Sequence, residues 1–79
     1  MLTNERLTIV AETVVDDVKI ASYGAVLNLD DMDLSLTNRY IDKEACKIHK
    51  DVVREDNRAF EDLAYMVQDQ LMASKESED

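Results

Sequence analysis

No proline and a single glycine, Gly24, interrupt the 79 residues of this chain. Sheets reverse direction through short clusters of Gly, Pro, Asn or Asp, and tight hairpins favour residues that tolerate positive φ. A chain poor in those residues has few places to turn. The one clear break is Tyr23-Gly24 through Asp33. The expectation is therefore an all-α fold: a small three-helix bundle, with a helical hairpin containing one long helix as the alternative.

Hydrophobic spacing supports that reading. Leu7, Val10, Ala11, Val14, Val18 and Ala21 recur at steps of three and four behind a cap at Thr3 or Asn4. Together with Gly24 as a left-handed C-terminal cap, they predict a first helix over 4–23. Residues 25–36 read as a connection whose leucines tuck under the helices, because a short strand at 25–29 would have no obvious partner. Ile41, Ala45, Ile48 and Val52 predict a second helix over 36–54, and Phe60, Leu63, Val67 and Leu71 a third over 57–73. Between them Arg54-Glu55-Asp56-Asn57-Arg58 is polar at every position, which favours a break there. Without a break the segment would be a rod of roughly 55 Å. Residues 1–73 thus form a single helical domain, and 74–79 an acidic, disordered tail.

A chain this short has a thin stability margin, so self-association into a homodimer is expected. One cysteine allows no internal disulfide, and one histidine does not furnish a zinc site. Cys46 and His49 stand three apart but lack an orienting third group and a pocket. Asp30-Asp31-Met32-Asp33 offers clustered carboxylates, yet counting from Asp31 puts Leu36 where a calcium loop needs glycine. There is no glycine-rich phosphate loop. No metal, cofactor or enzymatic activity is expected. With neither a leader-like start nor an apolar run long enough to cross a bilayer, the reading is cytoplasmic with no membrane partner.

Charge narrows the partners. The net charge is −9, with eighteen acids against nine bases. The bases are concentrated: Arg39, Lys43, Lys47, Lys50, Arg54 and Arg58 step by three or four. This stripe reads as a solvated helix back or as the counterpart of acids elsewhere. Direct nucleic-acid binding is disfavoured because the surplus acids repel phosphate. On the first predicted helix Glu5, Glu12 and Asp16 fall opposite the apolar face, with Asp17 beside them and Ile9 and Ile20 as apolar anchors. Acids at i and i+4 stand about 6 Å apart, comparable with successive phosphates. Asp30, Asp31 and Asp33 extend the acidic set.

These residues suggest a small acidic inhibitor that mimics nucleic acid and binds the basic, nucleic-acid-facing surface of another protein. In composition the chain resembles the small acidic proteins that phages use against host restriction, CRISPR or transcription machinery, although no motif is shared. The alternative is a helical oligomerisation or regulatory adaptor module, antitoxin-like proteins included, that binds its partner through an apolar helix face.

Overall fold

The computed structural model describes residues 5–77 and has an α+β fold. Strands β1 (Arg6–Val15), β2 (Val18–Asn28) and β3 (Leu34–Tyr40) are followed by helices α1 (Lys43–Ile48) and α2 (Lys50–Ser77). The strands form one antiparallel sheet in the order β1-β2-β3. The all-α three-helix bundle is therefore overturned. Where a first helix was expected over 4–23, two strands and a hairpin occupy residues 6–28.

The physical reason lies in residues 6–15, whose apolar pattern fits two periods. Leu7, Ile9, Ala11, Thr13 and Val15 alternate with Thr8, Val10, Glu12 and Val14, and six of these ten positions are β-branched. Such side chains pack well on a pleated surface once a partner strand exists. The turn that supplies the partner uses neither glycine nor proline. Val15 pairs with Val18 around Asp16 and Asp17, whose φ angles are 51° and 64°. Two consecutive left-handed residues make a tight two-residue hairpin, and aspartate tolerates that conformation better than most residues. Gly24 serves differently from the expected helix cap. It sits mid-strand with Thr37 opposite, and a Cβ there would lie 2.9 Å from Thr37 Oγ1.

α2 lies across one face of the sheet. Ile20, Ala21, Tyr23 and Ala25 of the central strand meet Val53, Phe60 and Ala64 of α2 in the core. The Tyr23 and Phe60 rings stack with centroids 5.7 Å apart. Alanines at 21, 25 and 64 keep the layers close enough for that stack. The sheet's other face has no covering element among the described residues, and Val10 there is 74% exposed.

A bulge ties the helical half to the sheet. The register shifts between Thr13 and Val14, leaving Ile20 unpaired in β2. Its freed carbonyl accepts from the backbone amides of Ile41 and Asp42 and from Cys46 Sγ. Asp42 then caps α1 through Oδ1 to the Ala45 amide at 3.1 Å.

The break expected at 54–58 is absent: α2 runs 28 residues without interruption. Each polar residue in that run has a place. Asp56 turns to β1, Asn57 bonds Glu61, Arg54 borders a concavity, and Glu55 and Arg58 face solvent. The chain breaks instead at His49, between α1 and α2. Residues 74–77 of the anticipated tail belong to α2, and Glu78 and Asp79 lie outside the described residues.

Candidate functional site

The fold sorts charge along its long axis, in a molecule measuring 50 × 21 × 18 Å. α2 starts beside Tyr23 and runs to the β2–β3 turn, where Gln68 Nε2 donates to the Met32 carbonyl at 2.9 Å. Asp30, Asp31 and Asp33 surround Met32 in that turn. Two side chains shape it: Asn28 Oδ1 accepts from the Asp30 amide and Asp31 Oδ1 from the Asp33 amide, each at 2.9 Å. Glu5 arrives from β1, its carbonyl accepting from the Leu29 amide at 2.9 Å. Asp69, next to Gln68, stands exposed on α2 at the same end. Three segments distant in sequence thus bring Glu5, Asp30, Asp31, Asp33 and Asp69 to one acidic pole. Arg6, beside Glu5, is the nearest base in sequence.

The opposite pole is mixed. Lys43, Lys47, Lys50 and Arg54 ring a concavity of about 540 Å³ whose floor is Tyr40, Cys46 and Val53. Asp16 lies at this end too, sharing a second concavity with Asp42 and His49. The basic stripe read from the sequence is therefore real on α1 and the start of α2, and it surrounds a hollow.

The predicted site residues are scattered accordingly. Glu5, Asp30, Asp31 and Asp33 come together, but Asp16 and Asp17 occupy the far hairpin. Glu12 sits midway on the open sheet face, paired with Lys19 at 3.1 Å. Ile20 is only 2% exposed, and Ile9 packs against the core, so neither is a free surface anchor. Strand geometry explains this: residues 5, 12 and 16 share a helix face but not a strand face. Asp69 escaped the sequence reading because a tertiary contact, the Gln68–Met32 bond, brings α2 to the turn.

The interior holds a polar relay. Thr13 Oγ1 donates to Asp56 Oδ2 at 2.8 Å and lies 2.7 Å from Tyr23 Oη. Thr13 has one hydroxyl proton and gives it to Asp56. The Tyr23 proton is then shared between Thr13 Oγ1 and the Val53 carbonyl at 3.3 Å. Burial raises the Tyr23 phenol above its ordinary pKa. The Thr13 hydrogen bond opposes that shift, and the nearby Asp56 carboxylate adds to it. Thr13 and Tyr23 are closed to solvent, at 1% and 3% exposed, while Asp56 at the end of the relay is half-buried, so the relay fastens α2 over β1 and β2. The Cys46 thiol donates to the Ile20 carbonyl rather than to His49. No group of three or more potential metal ligands converges among the described residues. No described helix is long and apolar enough to cross a membrane.

No family model, curated protein or solved structure matches the chain.

Proposed function

We propose that the protein is a non-enzymatic inhibitor that occupies a basic, nucleic-acid-binding surface of another protein with its acidic pole. The observation that supports this reading is the convergence of Glu5, Asp30, Asp31, Asp33 and Asp69 from three segments on one end of the molecule. Carboxylates held on a hairpin and a rigid helix lose little freedom on docking, which lowers the cost of mimicking a phosphate array. Their summed field also speeds encounter with a basic surface and makes the association salt-sensitive.

The test is a tagged pull-down from nuclease-treated bacterial lysate, eluted along a salt gradient. A basic nucleic-acid-binding protein should elute as salt rises, and added DNA or RNA should compete it off. The Asp30→Lys/Asp31→Lys/Asp33→Lys variant should lose that partner, whereas Asp16→Lys/Asp17→Lys should keep it. Equal retention by both variants would sink the proposal.

A second reading follows from α2 itself. Tyr65 and Met72 are 50% and 42% exposed and lie seven residues apart on one side of the helix. An adaptor binding through that apolar strip would hold its partner at high salt and release it on Tyr65→Lys.

A further inference from the structure

The strand β1 is a bare sheet edge. Among the described residues it has one neighbour, β2, and it runs ten residues as RLTIVAETVV with no proline, no lysine and no bulge of its own. Natural proteins blunt edges with those devices, and β1 lacks them. The shorter edge β3 is flanked by the ring of bases at its end.

The ladder tells which backbone groups of β1 point outward. Leu29 donates to the Glu5 carbonyl, so the Glu5–Leu29 pair is hydrogen-bonded. Along an antiparallel ladder this alternates: Leu7, Ile9, Ala11 and Thr13 turn their N–H and C=O to β2. Arg6, Thr8, Val10 and Glu12 turn theirs away from it.

A two-fold copy of β1 can bond those outward groups only if even-numbered residues face one another. Three such registers use the strand's central stretch. With the axis at Val10, Arg6 lies opposite Val14; with the axis at Ala11, Val10 lies opposite Glu12 and Arg6 runs past the end of the partner strand. With the axis at Ile9, Thr8 faces Val10 and Arg6 faces Glu12. This last register gives two opposite-charge pairs on the open face and places Ile9 against Ile9 on the helix side. Opposite charges directly across a strand pair are stabilising, and this choice of register is set by charge.

α2 fits the same axis. Asp56 bonds Thr13, so this side of the helix faces β1, whereas Asn57 and Glu61 border a hollow with residues of β3. Leu63 follows Asp56 by seven residues, on nearly the same side and about 10 Å further along. Ile9 lies about 14 Å from Thr13 along β1. Leu63 and Met66 therefore flank the level of the axis, and they are 41% and 49% exposed. With strands spaced about 4.8 Å and α2 seated over β1 and β2, the two helices would run about 10 Å apart, the distance at which helices pack.

We infer that β1 pairs with β1 of a second copy about a two-fold axis at Ile9. The product is a six-stranded sheet whose two α2 helices pack through Leu63 and Met66. The edge carries one base and one acid, so it joins without adding to the repulsion between two chains of net charge −9. This inference is independent of the proposed inhibitor role.

A register-specific crosslink tests it. In a Cys46→Ser background, Ile9→Cys places two thiols across a non-hydrogen-bonded pair about 4.5 Å apart between Cα atoms, within disulfide reach. Mild oxidation should convert that variant to a covalent dimer and leave Leu7→Cys, which faces Ala11 of the other copy, uncrosslinked. Sedimentation should also find a dimer of the native chain. Val10→Pro removes an outward N–H and no bond to β2, so it should yield a monomer with unchanged circular dichroism. Arg6→Glu should weaken the dimer at least tenfold, and Arg6→Glu/Glu12→Arg should restore it.

A native chain that sediments as a monomer at its highest soluble concentration would overturn the inference. So would a dimer indifferent to both Val10→Pro and Arg6→Glu. Crosslinking at Val10→Cys instead of Ile9→Cys would refute this register, and a mixed complex with a strand of another protein would refute self-pairing.

Discussion

Replacing Thr13 with valine isolates the contact that fastens the long helix to β1. The change preserves shape and removes one hydroxyl. Asp56 loses a 2.8 Å bond from a donor that is 1% exposed, and Tyr23 retains only the longer bond to the Val53 carbonyl. A hydrogen bond to a charged group contributes about 1.5–3 kcal/mol. Asp56 is only half-buried and regains part of that from water, so the expected loss is about 1–2 kcal/mol. In a chain of this size each kcal/mol lowers the thermal midpoint by about 4–8 °C. Thr13→Ser keeps the relay and gives up one buried methyl, about 0.8 kcal/mol, so serine should be the milder change. Thermal and urea unfolding followed by circular dichroism would rank the two. A double-mutant cycle with Asp56→Ala should return a coupling near 1 kcal/mol (order of magnitude). Valine proving no worse than serine, or effects of Thr13→Val and Asp56→Ala that simply add, would refute the reasoning.

Three further predictions follow from the same structure. The neutral Tyr23 phenol is the form the fold favours. Its contribution is full below the ordinary tyrosine pKa and is lost as pH rises through the raised folded value. The stability gap between the native chain and Tyr23→Phe should therefore narrow only in strongly alkaline buffer; a gap that closes near neutrality contradicts this. At the hairpin, Asp16→Asn/Asp17→Gly relieves two left-handed aspartates and their mutual repulsion. It should raise stability by up to about 1 kcal/mol in urea titrations, and a lower midpoint would contradict the assigned turn. On the open face, Gly24→Ala should destabilise by displacing the Thr37 hydroxyl, and Gly24→Ala/Thr37→Ala should recover most of the loss. An equal loss in both variants would mean that the backbone, not Thr37, excludes the methyl group.

The sequence by itself determined the charge balance, the basic stripe and the helical character of the C-terminal half. Phe60, Val67 and Leu71 repeat at helical steps, and nothing in that stretch competes with a helix. Residues 6–28 were not decidable in the same way. Leu7, Val10, Ala11 and Val14 satisfy a helical period while Leu7, Ile9, Ala11 and Val15 satisfy a strand period, and the hairpin signal was two aspartates rather than glycine. The β-branched run Thr8-Ile9-Val10 and Thr13-Val14-Val15 was the signal that favoured the strand. A strand takes its stability from a neighbour, so β1 exists because β2 lies beside it and α2 covers both. The acidic pole has the same origin. Glu5, the 30–33 turn and Asp69 are far apart in sequence, and proximity between them is a property of strand pairing and of Gln68 reaching Met32. Local periodicity can specify a helix because its hydrogen bonds close within four residues. Sheet register, the buried side of β1 and the grouping of charges depend on contacts that span the chain, and only the tertiary structure decides those.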